Sequence, residues 1–301
     1  DFALFGEPEI APAYGINRNM ALLATHGLMA LSADDDTLCR FGGPMDPMPL
    51  YPPEIKPHFN PNPCRMHFVP SREEAMAEAR FVEEDPLLAH EALLGKAVGP
   101  LFARAADARA LISTAINPAL AAALVTRPCS IGVSAAGTVG QSGMTNARAL
   151  LFLDGPLRHA HPADAEYLSG VTSGEIVSVA DRATVVNRSN FVSMCFAFDN
   201  RTLLPPFLPV GRSEDTAWGV TLETAFPNLL CGHVPRAVVH NGSPRRLQRE
   251  AATAVNFTLS SMVRVLIAAT DAGSLHTGGA LSAIGIHLIR LSQLAWPDFQ
   301  S

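Results

Sequence analysis

Three consecutive carboxylates, Asp34, Asp35 and Asp36, follow the apolar residues 28–31. Aspartate oxygens suit hard cations such as Mg²⁺ and Mn²⁺, which keep coordination positions for substrate phosphate oxygens. Adjacent carboxylates also repel one another unless a cation or solvent offsets their charge. The pattern predicts a short buried strand that ends at a metal site for a diphosphate. A solvated turn after an edge strand is the plainer alternative.

A second acidic motif, the pair Glu214 and Asp215, follows Ser213 and the proline-rich residues 203–209. Serine commonly caps helix N-termini, and the helix macrodipole favours carboxylates in the first turn. We therefore expect a helix capped by Ser213, with both carboxylates in its first turn. An ordinary capped helix start would explain the same residues.

A histidine ends the apolar run 237–239, which reads as a strand. The neutral imidazole of His240 could ligate Mn²⁺. A histidine at a strand end is also a common structural hydrogen bonder, and His233 is a competing candidate. Both alternatives remain open at the level of sequence.

Together these stretches resemble the GT-A glycosyltransferases, especially the inverting family 2. The resemblance implies an α/β fold with a GT-A-like (Rossmann-like) mixed sheet flanked by helices. It also implies metal-dependent transfer of a sugar from a nucleoside-diphosphate sugar to an acceptor hydroxyl, with inversion. The matching residues are Arg18-Asn19 at a helix start, Ala24-Thr25-His26-Gly27 at a turn, Asp34-Asp35-Asp36 after a strand, and Glu214-Asp215 followed by Trp218-Gly219.

The resemblance assigns expected roles to individual residues. Asp215 would be the catalytic base and Glu214 would hold acceptor hydroxyls. The donor diphosphate would be bound by Arg18, Asn19, Asp34 and Asp35, and Mn²⁺ or Mg²⁺ by Asp34, Asp36 and His240. The acceptor would be a glycan, a lipid-linked molecule or a small molecule. A non-catalytic GT-A-like module that binds a sugar or a protein is the alternative function.

Residues 1–244 are expected to form the catalytic domain, and residues 245–301 a C-terminal helical extension. Only 33 residues precede Asp34, whereas the resemblance implies a longer nucleotide-binding part. We therefore expect an N-terminally truncated or divergent member. Apolar spacings of three and four predict a helical hairpin near the C-terminus. Further predictions are a helix capped by Ser71, short strands at 131–134, 149–153, 183–187 and 194–198, and a glycine-rich turn over 135–143.

Composition narrows the function classes. The chain has 301 residues, is 48% hydrophobic and carries a net charge of -6, so it can bury a large core and lacks the excess of basic residues typical of nucleic-acid binders. Its five cysteines are widely spaced without a CxxC pair, which suggests reduced thiols and a cytoplasmic location. Peripheral contact with the inner face of a membrane is the open alternative, because the acceptor could be lipid-linked.

Overall fold

A computed structural model describes residues 14–43, 56–57, 64–98, 120–121, 123–124, 127–143, 165, 169, 172–187, 194–202, 204–209, 211–243, 259–270 and 276–294. The helices with described bounds are α1 (Tyr14–Ala24), α2 (Arg72–Glu78), α3 (Pro86–Glu91), α4 (Glu214–Ala225), α5 (Leu259–Ala268) and α6 (Thr277–Ser292). The strands are β1 (Met29–Ala33), β2 (Thr37–Gly43), β3 (Lys56–Pro57), β4 (Cys64–Val69), β5 (Arg80–Val82), β6 (Ser130–Gln141), β7 (Glu175–Ala180), β8 (Thr184–Val186), β9 (Cys195–Asp199) and β10 (Leu229–His240).

The ten described strands form one mixed sheet in which two long parallel strands, β6 and β10, lie side by side. The first half of β6 pairs with β9 and its second half with β7. The first half of β10 likewise pairs with β8 and its second half with β2. Of the remaining strands, β1 pairs with β9, β5 with β2, β4 with β7, and β3 with β8. The predicted α/β class, a mixed sheet flanked by helices, is confirmed.

Strand β1 has the same direction as β6 and β10, because it is antiparallel to β9 and β9 is antiparallel to β6. The carboxyl ends of β1, β6 and β10 therefore point the same way. In α/β sheets ligands bind beyond the carboxyl ends of such strands. The acidic triplet follows β1, and His240 is the last residue of β10.

Two expectations about strands are wrong. β1 is half-exposed rather than buried and lies at one end of the described strand order, with β9 as its partner. The glycine-rich turn expected over 135–143 is largely strand, since β6 continues to Gln141. Small residues are needed there because a Cβ on Gly137 would lie 2.0 Å from the carbonyl oxygen of Ser178 in β7.

Other local predictions are confirmed. The Ser71 hydroxyl caps α2 by accepting a hydrogen bond from the backbone N–H of Glu74 at 3.2 Å. The strands expected at 183–187 and 194–198 correspond to β8 and β9. The strand expected at 149–153 lies outside the described residues.

One hydrophobic cluster lies between the sheet and helices α4, α5 and α6. Trp218 and Leu222 of α4 pack there with Phe196 of β9, and α5 and α6 contribute Ile267 and Ile284. The two C-terminal helices contact each other and α4, in keeping with the predicted hairpin. Among the described helices, none combines the length and apolar character needed to cross a membrane.

Candidate functional site

The acidic triplet forms a tight turn between β1 and β2. The carbonyl of Asp34 accepts a hydrogen bond from the N–H of Thr37 at 3.0 Å. Two further backbone bonds anchor the turn, since the Asp34 N–H donates to Met194 O at 2.9 Å and the Asn241 N–H donates to Asp36 O at 2.8 Å. Asp35 is exposed, whereas its two neighbours are half-buried. The turn is thus fixed by neighbouring strands on both sides.

Asp36 and His240 are brought together by the register of two strands. Thr37 of β2 pairs with His240 of β10, so Asp36, one residue earlier, lies beside the imidazole. The Nε2 of His240 is 3.1 Å from Oδ2 of Asp36. Gly242 keeps this contact open, because a Cβ at that position would lie 2.9 Å from Cε1 of His240 and 3.2 Å from Oδ2 of Asp36.

The other imidazole nitrogen fixes the tautomer of His240. Its Nδ1 is hydrogen-bonded to the main-chain carbonyl of Gln141, and a carbonyl can only accept, so Nδ1 carries a proton. In the neutral ring, Nε2 then presents a lone pair to the Asp36 carboxylate. Two acceptors at this distance repel unless a proton or a metal cation lies between or beside them.

This pair presents a carboxylate oxygen and an imidazole nitrogen, two ligand types that Mn²⁺ accepts in proteins. Histidine ligands typically donate their second N–H to a carbonyl or carboxylate, as His240 does. Mg²⁺ is often held by one or two carboxylates while substrate phosphates and water complete its coordination. Within the described residues, no group of three or more His, Cys, Asp or Glu side chains is placed to hold a metal ion. A metal bound here would therefore depend on ligands from the substrate and solvent.

Arg18 joins the acidic turn to the Glu214-Asp215 pair. Its Nη2 donates to Oδ1 of Asp34 at 2.9 Å, and its Nη1 donates to Oε1 of Glu214. The guanidinium also lies over the ring of Phe207, with 5.7 Å from Cζ to the ring centroid. The Arg18 and Glu214 side chains are 11% and 7% exposed. A buried cation thus brings together two acidic motifs that are far apart in the sequence.

Burial raises the pKa of both carboxyl groups that contact Arg18. For Glu214 the second cause is the negative charge of Asp215, while Arg18 acts in the opposite direction. For Asp34, Arg18 is the largest influence that opposes burial. Desolvation therefore outweighs the ion pairs, and both groups bind protons more readily than exposed carboxyls do. Raised carboxyl pKa values occur in catalytic acids and bases and also in buried structural ion pairs.

The helix that carries the acidic pair begins as predicted, but its cap does not form as predicted. Glu214 and Asp215 occupy the first turn of α4. Ser213 has a left-handed backbone conformation, with φ of 66°, and its hydroxyl makes no capping hydrogen bond. The Oδ1 of Asp215 instead accepts from the N–H of Thr216 at 2.7 Å and from its hydroxyl at 3.2 Å. Thr216 thereby orients the Asp215 carboxylate.

Two other residues singled out by the sequence occupy structural positions. Asn19 is buried and forms a pair of hydrogen bonds with the main chain of Phe207, at 3.0 and 2.6 Å. These bonds tie α1 to the proline-rich segment before α4. His233 is buried within β10, where its Nε2 lies 3.8 Å from Sγ of Cys231. Of the two histidines considered, His240 is the one beside an acidic-triplet carboxylate.

Nothing in the sequence indicated that Arg72 lies close to the Asp36–His240 pair. Arg72 forms a double contact with Glu175 of β7 and donates to Oδ1 of Asn241 at 2.8 Å and to the carbonyl of Gly242 at 3.2 Å. It therefore holds the segment after β10 against the start of β7. The only sequence signal for Arg72 was its place at the start of a capped helix. Its partners depend on long-range strand order, which local patterns do not specify.

Comparison with known proteins supplies no relative. No protein-family model matches the chain, and no curated protein or solved structure is significantly similar to it.

Proposed function

We propose that this protein is a metal-dependent glycosyltransferase with a GT-A-like fold. It would move a sugar from a nucleoside-diphosphate sugar to an acceptor hydroxyl, with Mn²⁺ or Mg²⁺ bound at Asp36 and His240. The observation that carries the proposal is the 3.1 Å contact between Oδ2 of Asp36 and Nε2 of His240, with Nδ1 of His240 committed to a carbonyl. A divalent cation relieves the repulsion in that arrangement and also binds diphosphate oxygens.

The acidic helix start supplies the second half of the proposal. Arg18 connects Asp34, at the metal side, to Glu214 on the first turn of α4. Asp215 is the next residue, and Thr216 orients its carboxylate. An acceptor hydroxyl held by Glu214 would lose its proton to Asp215.

The reaction then requires one displacement. The acceptor oxygen forms a bond to the anomeric carbon as the bond from that carbon to the diphosphate oxygen breaks. The acceptor proton passes to Asp215, and the nucleoside diphosphate leaves with the bonding electron pair. Asp36 and His240 would hold the metal, which would supply charge neutralisation for the leaving diphosphate. Attack opposite the leaving group gives inversion at the anomeric carbon.

The decisive experiment measures metal-dependent diphosphate binding and then transfer. Calorimetry with nucleoside diphosphates, with and without Mn²⁺, should show much tighter binding when the metal is present. A mixture of nucleotide-sugars and acceptors should then give metal-dependent release of nucleoside diphosphate. Absence of both binding and turnover would contradict the proposal.

One observation favours the non-catalytic sugar- or protein-binding module as a second candidate. Arg18 already neutralises an oxygen of Asp34 and an oxygen of Glu214, so two of the acidic groups have a partner within the protein. Nucleotide-sugar binding without any metal-dependent turnover would favour that module over the enzyme.

A further inference from the structure

A buried amide group beside the Asp36–His240 pair has hydrogen-bonding capacity that the protein does not use. Gln141, the last residue of β6, is 1% exposed. Its Oε1 accepts a hydrogen bond from the backbone N–H of Gly143, which fixes the orientation of the amide because an oxygen must face that donor. Its Nε2 is fully buried and, within the described chain, has no hydrogen-bond partner.

The position of this amide ties it to the candidate site. The main-chain carbonyl of Gln141 accepts the Nδ1 proton of His240. A Cβ on Gly143, whose N–H contacts the Gln141 side chain, would lie 3.8 Å from Cε1 of His240. Strands β6 and β10 are parallel neighbours, with Gly140 paired to His240. Gln141 and His240 thus lie together at the carboxyl ends of adjacent strands.

An unused buried donor is costly to the free protein. Leaving such a group without a partner costs about 1–3 kcal/mol, and a ligand that supplies an acceptor recovers that cost. The Nε2 group only donates, so it repels a cation and does not ligate a metal. Its complement is a hydrogen-bond acceptor, and the phosphate oxygens of a diphosphate are strong acceptors. The described structure has two other unpartnered buried polar atoms, Oγ1 of Thr184 and Nε of Arg264, and neither lies at this strand end.

We propose that Nε2 of Gln141 donates a hydrogen bond to a phosphate oxygen of the diphosphate bound at Asp36 and His240. This inference rests on the proposed function, because that function places a diphosphate at the pair. Gln141 would bind the phosphate oxygen, while Asp36 and His240 would bind the cation. Diphosphate affinity and metal affinity should therefore be separable by substitution at residue 141.

Inorganic pyrophosphate with Mn²⁺ is the probe, since it contains the diphosphate without a nucleobase or sugar. Gln141→Met keeps the side-chain length and removes the donor without adding charge. Gln141→Glu keeps an oxygen for the Gly143 N–H and removes both Nε2 protons. We expect each variant to bind the manganese–pyrophosphate complex about 10-fold or more weakly in calorimetry. Gln141→Met should bind Mn²⁺ alone as the unmodified protein does.

Thr184→Val is the matched control, because it removes another unpartnered buried polar group in the same sheet. Its pyrophosphate affinity should be unchanged. Unchanged pyrophosphate affinity in folded Gln141→Met would overturn the inference and leave the glycosyltransferase proposal standing. Pyrophosphate binding that depends on Gln141 but not on Mn²⁺ would support the inference and contradict the metal-dependent function. Binding of neither probe by the unmodified protein would overturn both.

A measurement on the unmodified protein covers the case in which the variants do not fold. The side-chain amide resonances of Gln141 should shift when Mg²⁺ and pyrophosphate are added together, and shift less with Mg²⁺ alone. Resonances that stay in place on saturation with pyrophosphate would overturn the inference without any substitution.

Discussion

Oδ2 of Asp36 lies 3.1 Å from Nε2 of His240, although Asp36 precedes strand β2 and His240 ends strand β10. The contact follows from the pairing of Thr37 with His240 in antiparallel strands β2 and β10. The Nδ1–H of His240 donates a hydrogen bond to the main-chain carbonyl of Gln141, and its Nε2 faces the Asp36 carboxylate. Either a proton or a divalent cation relieves the repulsion between the two groups. Metal binding at this pair is therefore open to a direct test.

Removal of either proposed metal ligand, Asp36 or His240, should abolish most of the metal binding that we propose. We expect Asp36→Ala to weaken Mn²⁺-dependent diphosphate binding by about 100-fold or more, because loss of an outer-sphere partner alone typically costs 10–100-fold in metal affinity. The exposed helix residue Glu73 provides the control, and Glu73→Gln should leave the affinity unchanged. Titration calorimetry with and without Mn²⁺ measures both. Metal-independent binding that Asp36→Ala does not affect would falsify the proposed role of Asp36.

The sequence predicted the local features of this site better than its long-range contacts. Three local features could be recognised in the sequence, because each is a short run of neighbouring residues. They are the acidic turn, the acidic start of α4 and the terminal histidine of β10. The link through Arg18 requires α1 to pack near α4. The contact of Gln141 with His240 requires β6 to continue through residues whose sequence is typical of a turn. Small residues such as Gly137 suggest flexibility in sequence but allow close strand packing in the structure.

Gly137 gives a direct test of that packing. A methyl group at this position would lie 2.0 Å from Ser178 O, so Gly137→Ala should lower the free energy of unfolding by about 1–3 kcal/mol or more. Gly278, in α6, has nothing within 4 Å of an added Cβ. Gly278→Ala should therefore be neutral, or stabilising by up to about 1 kcal/mol. Urea denaturation compares the two, and equal stability of both variants would contradict the close approach of β6 and β7.

Arg18 should stabilise the fold through its two carboxylate partners. Arg18→Met leaves Asp34 and Glu214 without their shared cation, and breaking a buried pair in this way costs roughly 3 kcal/mol. The double variant Arg18→Met with Glu214→Leu removes the most buried partner as well, so it should recover much of that loss.

Urea denaturation of both variants measures these changes. Arg182→Met is the control for loss of an exposed arginine, and it should change stability by no more than about 0.5 kcal/mol. A single Arg18→Met variant as stable as the unmodified protein would show that the ion pairs contribute little.

The raised pKa of Glu214 predicts a pH-dependent effect of Glu214→Gln. A glutamate in the unfolded chain has a pKa of about 4.3. In the folded protein the pKa of Glu214 is higher, mainly because the carboxyl is buried. Between these two values the folded state binds more protons than the unfolded state, so this carboxyl adds stability as the pH falls. Glutamine does not titrate. The free energy of unfolding of the unmodified protein, minus that of the variant, should therefore increase from pH 7 to about pH 4.5.

Denaturant titrations of the two proteins in matched buffers measure that difference. A difference that shrinks on acidification would mean that Arg18 outweighs burial at Glu214 and lowers its pKa instead.

Asp215 separates an enzyme from a binding module. Asp215→Asn is nearly isosteric and leaves an oxygen to accept from the N–H of Thr216, which contacts Oδ1 at 2.7 Å, so the fold and donor binding should be preserved. Transfer to the acceptor should fall by roughly 100-fold or more, the usual scale for loss of a positioned base. Thr216→Val keeps that N–H and removes only the hydroxyl contact at 3.2 Å, so it should reduce transfer less. Steady-state rates with saturating donor provide the comparison, and an Asp215→Asn variant that transfers sugar at the unmodified rate would assign the base to another residue.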